Sequence, residues 1–596
     1  MEGSAPLCAA RLNVTATHRD DGTILLQSEG ELPETTSTIP QRLSHWARET
    51  PDAPFLSETD RLITYAQAEA ARRRLSAGLA ALRLPPDRPL MILGENGIDH
   101  ALLMLAATAI GIPVAVVSPA YAAASSAPWD KLGRVVGGLD PACLFADDAP
   151  AAEEILAAVG HAVPVRPLRD LAWLEAAAPV DPVVLAAAEA AVAPDTVAKL
   201  LFTSGSTGSP KAVVNTQRMM VSNMAALAMV WPFLNEAPPV LVDWLPWNHT
   251  FGGNCCFNIA LWFGGHLHVD RGRPTATSIG RSVEAIRRYR PTLYFNVPIG
   301  YEVLLPILER DADFAADFLG RLKFIFNAGA PMPASLRARL EAVSRAATGR
   351  RANVVGGWGA TETAPFSTVL CFPTEHAANL GAPIPGTTIK LVPDGGRYEL
   401  RVRGPNVTPG YWKDPAATAA AFDDEGFYRI GDAGKFADPN QPAAGIVFDG
   451  RVAENFKLAS GTFVNVGALR LAVISASEKL VSDAVIAGEG RCELGLLLFT
   501  SETACRTFLG QAVCAELGGA PAGTHPAVIE RLTTLLRAYN ATATGSSTRI
   551  ARFLVLDEPP SAAHDEITDK GYINQRRVLA RRGVLVDQLF EAGHVV

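Results

Sequence analysis

Short apolar runs recur along most of the chain, each separated from the next by a stretch with helical spacing: PLMILG (89–94), IPVAVVS (112–118), VLVDWL (240–245), TLYFNVP (292–298), LKFIFNAG (322–329) and ANVVGG (352–357). This alternation constrains the fold more than any other feature. A strand followed by a helix returns to its sheet by a crossover, so the sheets are expected to be largely parallel and the class α/β. The pattern changes after about residue 386. IKLV (389–392) and YELRVRG (398–404) alternate apolar and polar residues between turn glycines, which suggests antiparallel pairing in a small barrel. After Gly450-Arg451 the chain becomes a compact helix-and-strand region in which DAVIAG (483–488) and ELGLLLFT (493–500) are expected to pair. The expected division is a large domain over 1–450 and a small α+β domain over 451–596.

With 596 residues the chain is too long for one core, and roughly two to four domains are expected. A net charge of −8 and the absence of a Lys/Arg stripe argue against nucleic acid as a partner. Eight cysteines without a CxxC pair make neither a disulfide framework nor a zinc site. No basic region precedes an apolar one at the N-terminus, so no secretory signal is read. The longest apolar run, ALLMLAATAIGIPVAVV (101–117), is broken by Gly-Ile-Pro and reads as a covered helix followed by a buried strand, not as a membrane span. The expectation is a soluble, cytoplasmic protein, monomeric or homodimeric, with no membrane partner. Residues 1–40 show little periodicity beyond GTILLQ, and the Ala-rich segment 150–195 reads as surface helices and loops.

Residues 203–211, TSGSTGSPK, follow the apolar Leu200-Leu201-Phe202 and precede a helical run from Met219 to Trp231. A Gly-rich turn between buried elements reads as a backbone site for phosphate. It is not a Walker A loop, G-x-x-x-x-G-K-[ST]. Gly205 and Lys211 have the right separation, but Pro210 replaces the second glycine and Ala212 the Mg²⁺-binding hydroxyl. Proline has no N–H to offer a phosphate. The hydroxyls of Thr203, Ser204, Ser206 and Thr207, the backbone of Gly205 and Gly208, and Lys211 as a point charge remain.

Further stretches stand with this loop: NAGAPMP (327–333), GGWGATETAP (356–365), ELRVRGPNVTPGYW (399–412), FYRIGDAG (427–434), DGRVAENFKLASGTFV (449–464) and DEITDKGYINQRR (565–577). Each alone also fits a bland role, such as a βα turn or a solvated side chain. In this order they resemble the ATP-dependent, AMP-forming ligases, the superfamily of acyl- and aryl-CoA synthetases, from about residue 40 to 580. Within it, DWLPWNHTFGGNCCFNIALWFGGHLHVD (243–270) and ITDKGYINQ are similar to bacterial feruloyl-CoA synthetases.

The resemblance implies a large domain with stacked sheets and a small barrel, and a small mobile C-terminal domain. It implies ATP, Mg²⁺ and coenzyme A, and an aromatic acid of the hydroxycinnamate class: ferulate, 4-coumarate or caffeate. The 203–211 loop would cradle the β- and γ-phosphates, with Thr207 and Glu362 near the Mg²⁺. Gly329, Ala330 and Pro331 would line the adenine, with Gly357, Trp358 and Gly359 beside the nucleotide and Thr361 at the α-phosphate. Asp432 would take the ribose hydroxyls, and Arg451 the ribose or phosphate. Lys570 would act in adenylation, and Lys457 and Gly461 belong to the loop implied to line the thiol channel. His249 would stand at that channel's mouth; a satisfied core histidine is its other reading.

Four departures from the superfamily pattern stand out, one being the GYINQ after Lys570, where the usual motif has a hydrophobic pair and Arg. The hinge position after the GR motif is Ala453, with Glu454 beside it. The Lys457–Gly461 spacing is one residue longer than usual. The usual tyrosine is Trp358. Trp247, Phe251, Tyr301 and Phe366 suit stacking on an aromatic acid and suit a core equally well. Competing expectations are a CoA ligase for a benzoate or medium-chain acid, a luciferase-like oxygenase, and a non-catalytic nucleotide sensor on the same fold.

Overall fold

The computed structural model describes the chain except for residues 1–8, 11, 35–36, 177–180, 205–209, 276, 331, 373, 375, 377, 453, 518, 544, 562–563 and 568–572, and the side chain of Ser204. Two compact units emerge. The first comprises Met1–Pro393, Leu400–Ile430 and Phe436–Val447; the second comprises Asp394–Glu399, Gly431–Lys435 and Phe448–Val596.

Three sheets built on parallel pairs form the first unit's frame. The largest has the strand order 210–216, 197–204, 114–117, 90–93, 143–146, 165–167, parallel except for its first pair. A second runs 240–243, 266–269, 54–58, 61–64, and a third 294–296, 325–327, 354–359, 366–369, 382–383. The expected run at 101–117 is the helix Ile98–Ala109 and the strand Val114–Val117. That helix is buried on nearly all sides because it packs against the helices Ile39–Glu49 and Tyr65–Ala81 as well as against strands of two different sheets.

Two elements were not expected. Pro210–Thr216 is a strand, antiparallel to Val197–Ser204. The β-branched Val213, Val214 and Thr216 favour it. Thr216 then caps the helix Gln217–Val230 by accepting from Met219 N–H. TSGSTGSPK therefore lies between two paired strands, not between a strand and a helix. Near the N-terminus, Val14–His18 and Ile24–Ser28 form a hairpin whose second strand pairs with Thr388–Leu391. It belongs to a six-stranded sheet ordered 14–18, 24–28, 388–394, 397–403, 428–436, 446–451. The division between units cuts across its last four strands.

The second unit holds a four-stranded sheet, 481–487, 494–500, 550–555 and 594–595, and a small hairpin, 456–457 with 463–464. The strands at 481–487 and 494–500 pair antiparallel, as their alternation predicts. Its core is mostly aliphatic, with Leu494, Leu496, Leu498 and Leu532 fully buried around Phe553. Among the described residues no helix is long and apolar enough to cross a membrane, and the described cysteines are free thiols.

Candidate active site

In the first unit the paired strands set Thr203 opposite Lys211 and Ser204 opposite Pro210, at the strand ends that border residues 205–209 in sequence. Gly205, Ser206, Thr207 and Gly208 lie outside the described residues. Lys211 Nζ stands 5.0 Å over the ring of Tyr411. Tyr411 Oη donates to Glu362 Oε1 at 3.1 Å and lies 3.4 Å from Tyr428 Oη. Burial, then the nearby Glu362 carboxylate, raise both tyrosine pKa values, so both hydroxyls stay protonated as donors. A lysine and a buried carboxylate far apart in sequence are thus joined by one phenol.

Glu362 sits on the turn Thr361–Thr363, at the end of the strand Val354–Gly359. Asn223 pins this turn by donating to Thr363 O at 3.0 Å and accepting from Phe366 N–H at 2.9 Å. Asn406 donates to Phe366 O at 2.8 Å. Thr408 N–H donates to Glu362 O at 2.8 Å while its hydroxyl donates to Val214 O at 2.7 Å. The carboxylate is therefore held to the hairpin strand through backbone, an arrangement suited to a fixed charge.

Thr361 and Trp358 are buried, Gly357 and Gly359 flank Trp358 in the same strand, and Trp358 pairs with Thr368. The neighbouring strand ends at Asn327, and Asn327 Nδ2 donates to Ala330 O at 2.8 Å. Gly329 makes this turn possible at φ +85°, which disfavours any side chain. Asn327 Oδ1 is buried and lacks a hydrogen-bond partner among the described residues. Pro331 lies outside the described residues.

His249 is half-buried and precedes a π-helical turn, Phe251–Cys256. Of the four candidate stacking residues, three belong to the core. Tyr301 is buried and donates to Phe326 O at 2.5 Å. Trp247 packs edge-on against His100 and Phe257, and Phe366 against Phe326. Phe251 alone keeps exposed surface, with its ring 6.2 Å from Phe295 and 5.9 Å from Phe326.

In the second unit Arg451 Nε lies 3.3 Å from Asp432 Oδ1, with Asp432 buried and Arg451 exposed. Val452 N–H donates to Gly431 O at 2.9 Å and keeps the two segments together. Burial raises the pKa of Glu454 beside them, against the pull of Arg451 and Arg470. Lys457 pairs with Phe463, and Gly461 turns the chain between them, its N–H bonded to Leu458 O. The longer spacing is thereby absorbed in the hairpin turn. Ala453 and Lys570 lie outside the described residues.

Tyr411, Tyr428, Asn223, Asn406 and Asn327 carry no assignment in the sequence reading. Tyr411, Tyr428, Asn406 and Asn327 fall inside the ELRVRGPNVTPGYW, FYRIGDAG and NAGAPMP stretches and were within reach; Asn223 has no local signal.

Parallel strands ending in glycine turns, with a lysine and a carboxylate converging across them, make up an α/β enzyme for an anionic, nucleotide-like substrate. A family model described as AMP-binding enzyme matches residues 43–412, and the chain belongs to that family. Among its relatives, the 3-[(3aS,4S,7aS)-7a-methyl-1,5-dioxo-octahydro-1H-inden-4-yl]propanoyl:CoA ligase of Mycobacterium tuberculosis (strain ATCC 25618 / H37Rv) is 30% identical over 412 residues, 67% of this chain and 76% of that protein. The 4-coumarate–CoA ligase 2 of Oryza sativa subsp. japonica is 28% identical over 431 residues, 66% of this chain and 72% of that protein. ATP-bound MatB from Rhodopseudomonas palustris shares the fold with a TM-score of 0.70 at 20% identity, over 92% of this chain and 99% of that one. So does o-succinylbenzoate CoA synthetase (MenE) from Bacillus subtilis with its acyl-adenylate, at a TM-score of 0.69 and 19% identity, over 91% of this chain and 98% of that one.

Proposed function

We propose that the protein is an AMP-forming carboxylate–CoA ligase whose acid is a hydroxycinnamate, with ferulate, 4-coumarate and caffeate as substrates. The observation that carries this reading is the Lys211–Tyr411–Glu362 cluster, placed where the phosphate-loop hairpin meets the strand ends. The 4-coumarate–CoA ligase relatives support the acid class. So does Phe251, the one aromatic candidate left with surface for a ring to stack on.

A carboxylate is a poor electrophile, so it is first made into acyl-AMP with loss of pyrophosphate, and CoA thiol then displaces AMP. Both partners in the first step are anions, so the protein must neutralise charge and hold them in line. In this reading Thr203, Ser204, Gly205, Ser206, Thr207, Gly208 and Lys211 take the departing phosphates. Thr361 binds the α-phosphate. Gly329, Ala330 and Pro331 flank the adenine, and Asn327 Oδ1, an acceptor lacking a donor among the described residues, suits its amine. Gly357, Trp358 and Gly359 border the nucleotide; Asp432 and Arg451 hold the ribose. The buried Glu362 carboxylate with the Thr207 hydroxyl fits a hard cation, and Mg²⁺ there would offset phosphate charge. Domain 1–450 binds ATP and acid; domain 451–596 is mobile, bringing Lys570 for adenylation and Lys457 and Gly461 for thioesterification.

The test is a CoA- and ATP-dependent thioester assay across ferulate, 4-coumarate, benzoate and octanoate. Ferulate and 4-coumarate should exceed octanoate in kcat/KM by about 10-fold or more; a preference for octanoate or benzoate overturns the acid assignment. His249→Trp should raise the KM of the acid or of CoA while leaving that of ATP within about twofold. Unchanged acid and CoA constants would remove His249 from the channel mouth.

A further inference from the structure

Lys199 lies in the strand Val197–Ser204, four residues before Thr203, in an apolar sequence, VAKLLF. Its side chain is buried, 2% exposed, and among the described residues its ammonium bonds to a carbonyl and an amide, not to a carboxylate. Burial pulls its pKa down to about 7. An unpaired buried cation is costly, and a methionine of similar length would fill the space without that cost. What the ammonium touches explains its presence.

Nζ donates to Gly253 O at 2.7 Å and to Asn254 Oδ1 at 3.3 Å, and stands 5.6 Å over the Phe257 ring. Both acceptors belong to the π-helical turn. In a regular α-helix Phe257 N–H would bond to Gly253 O; here it bonds to Gly252 O, one residue further back. Lys199 binds the carbonyl that Phe257 N–H would take in α register. Asn254 Nδ2 in turn donates to Asn215 Oδ1 at 2.9 Å and to Thr250 Oγ1 at 3.0 Å. Asn215 is the direct cross-strand partner of Lys199 in the hairpin that carries TSGSTGSPK. Two neighbouring side chains of that hairpin therefore grip one turn.

The turn is also packed backbone to backbone. A Cβ on Gly252 would overlap the Leu245 carbonyl, and one on Gly253 the Trp247 carbonyl. Any change of its register moves the segment holding His249 and Phe251.

We propose that Lys199 is a positioning residue. With Asn254 and Asn215 it holds the turn 251–256 in π register, and so sets the His249–Phe251 wall of the acid site relative to the phosphate hairpin. This rests on the acid-site reading above. The charged and titratable surroundings fit the role: His100, the histidine whose own pKa responds to Lys199, is fully buried and pushed down to about 4, so it adds no positive charge.

The test is Lys199→Met, studied as the full chain with the best acid of the four-acid panel. The expected result is a rise in acid KM of about 10-fold, with ATP KM within about twofold. Hydrogen exchange should quicken at 251–257 while the strand 197–204 stays protected. Exchange at 251–257 unchanged from wild type, or acid and ATP constants weakened together, overturns the proposal. If Lys199→Met does not fold, Asn254→Ala takes its place: acid KM should rise with ATP KM unmoved, and an unchanged acid KM overturns the proposal. A wild type that turns over none of the acids sinks the acid-site reading instead, a result separate from the exchange data.

Discussion

Replacing Lys570 with alanine is expected to lower ferulate-dependent pyrophosphate release by about 100-fold or more, while thioester formation from supplied feruloyl-AMP persists. The first half-reaction brings a carboxylate to a phosphate, and an ammonium placed between their oxygens is worth most where the charge is redistributed. The second half-reaction begins from an already activated acyl-phosphate anhydride, attacked at its carbonyl carbon by a thiol, and no longer brings a carboxylate to a phosphate. The two assays also control for each other, since a misfolded variant would lose both. Near-normal pyrophosphate release from the variant would remove Lys570 from the adenylation step. On either side of it in sequence, Ile567 bridges to Ile573, and Asn574 N–H donates to Glu566 O at 2.8 Å.

How much of this was legible in the sequence depended on whether the signal was local. VLVDWL, LKFIFNAG and ANVVGG became strands at 240–243, 325–327 and 354–359 because a continuous apolar run needs nothing but a covered sheet. The strand 210–216 was hidden by its glycine-rich neighbour, which suggested a turn into a helix. Aromatic residues misled for a different reason. A ring for the core and a ring for a substrate look alike in sequence, and only burial separates Tyr301 from Phe251. The Tyr411–Glu362 contact spans 49 residues and the Asn223–Phe366 contact 143. No spacing rule reaches that far. The π turn was beyond reach as well, since Lys199, which binds its Gly253 carbonyl, comes to it from another element.

Glu566→Gln should cost the second unit about 3–5 kcal/mol of stability, the loss expected when one partner of a buried ion pair is removed. Glu566 has no exposed surface and accepts from Arg582 Nε and Nη2, both at 2.7 Å, and from Ser561 N–H at 2.9 Å. Arg582 is itself buried, and its remaining bonds go to the carbonyls of Glu558 and Pro559. Glutamine keeps the shape but leaves that guanidinium without a counter-charge. Burial alone would raise the Glu566 pKa; Arg582, Ser561 N–H and Arg581 outweigh it and hold it down to about 2, against an ordinary 4.5. A depressed carboxylate pKa gives stability that is complete above the unfolded value and lost as pH falls through the folded one. Wild-type stability should therefore decline from about pH 4.5 toward pH 2 more steeply than that of Glu566→Gln, the two curves drawing together in acid. The nine tryptophans all lie outside the second unit, so their fluorescence does not report on it. Hydrogen exchange in the paired strands 481–487 and 494–500, followed in urea, does. Protection within about 1 kcal/mol of wild type at pH 7 would mean that Arg582 is neutralised by some other group, and that the Glu566 pair does not anchor this part of the fold.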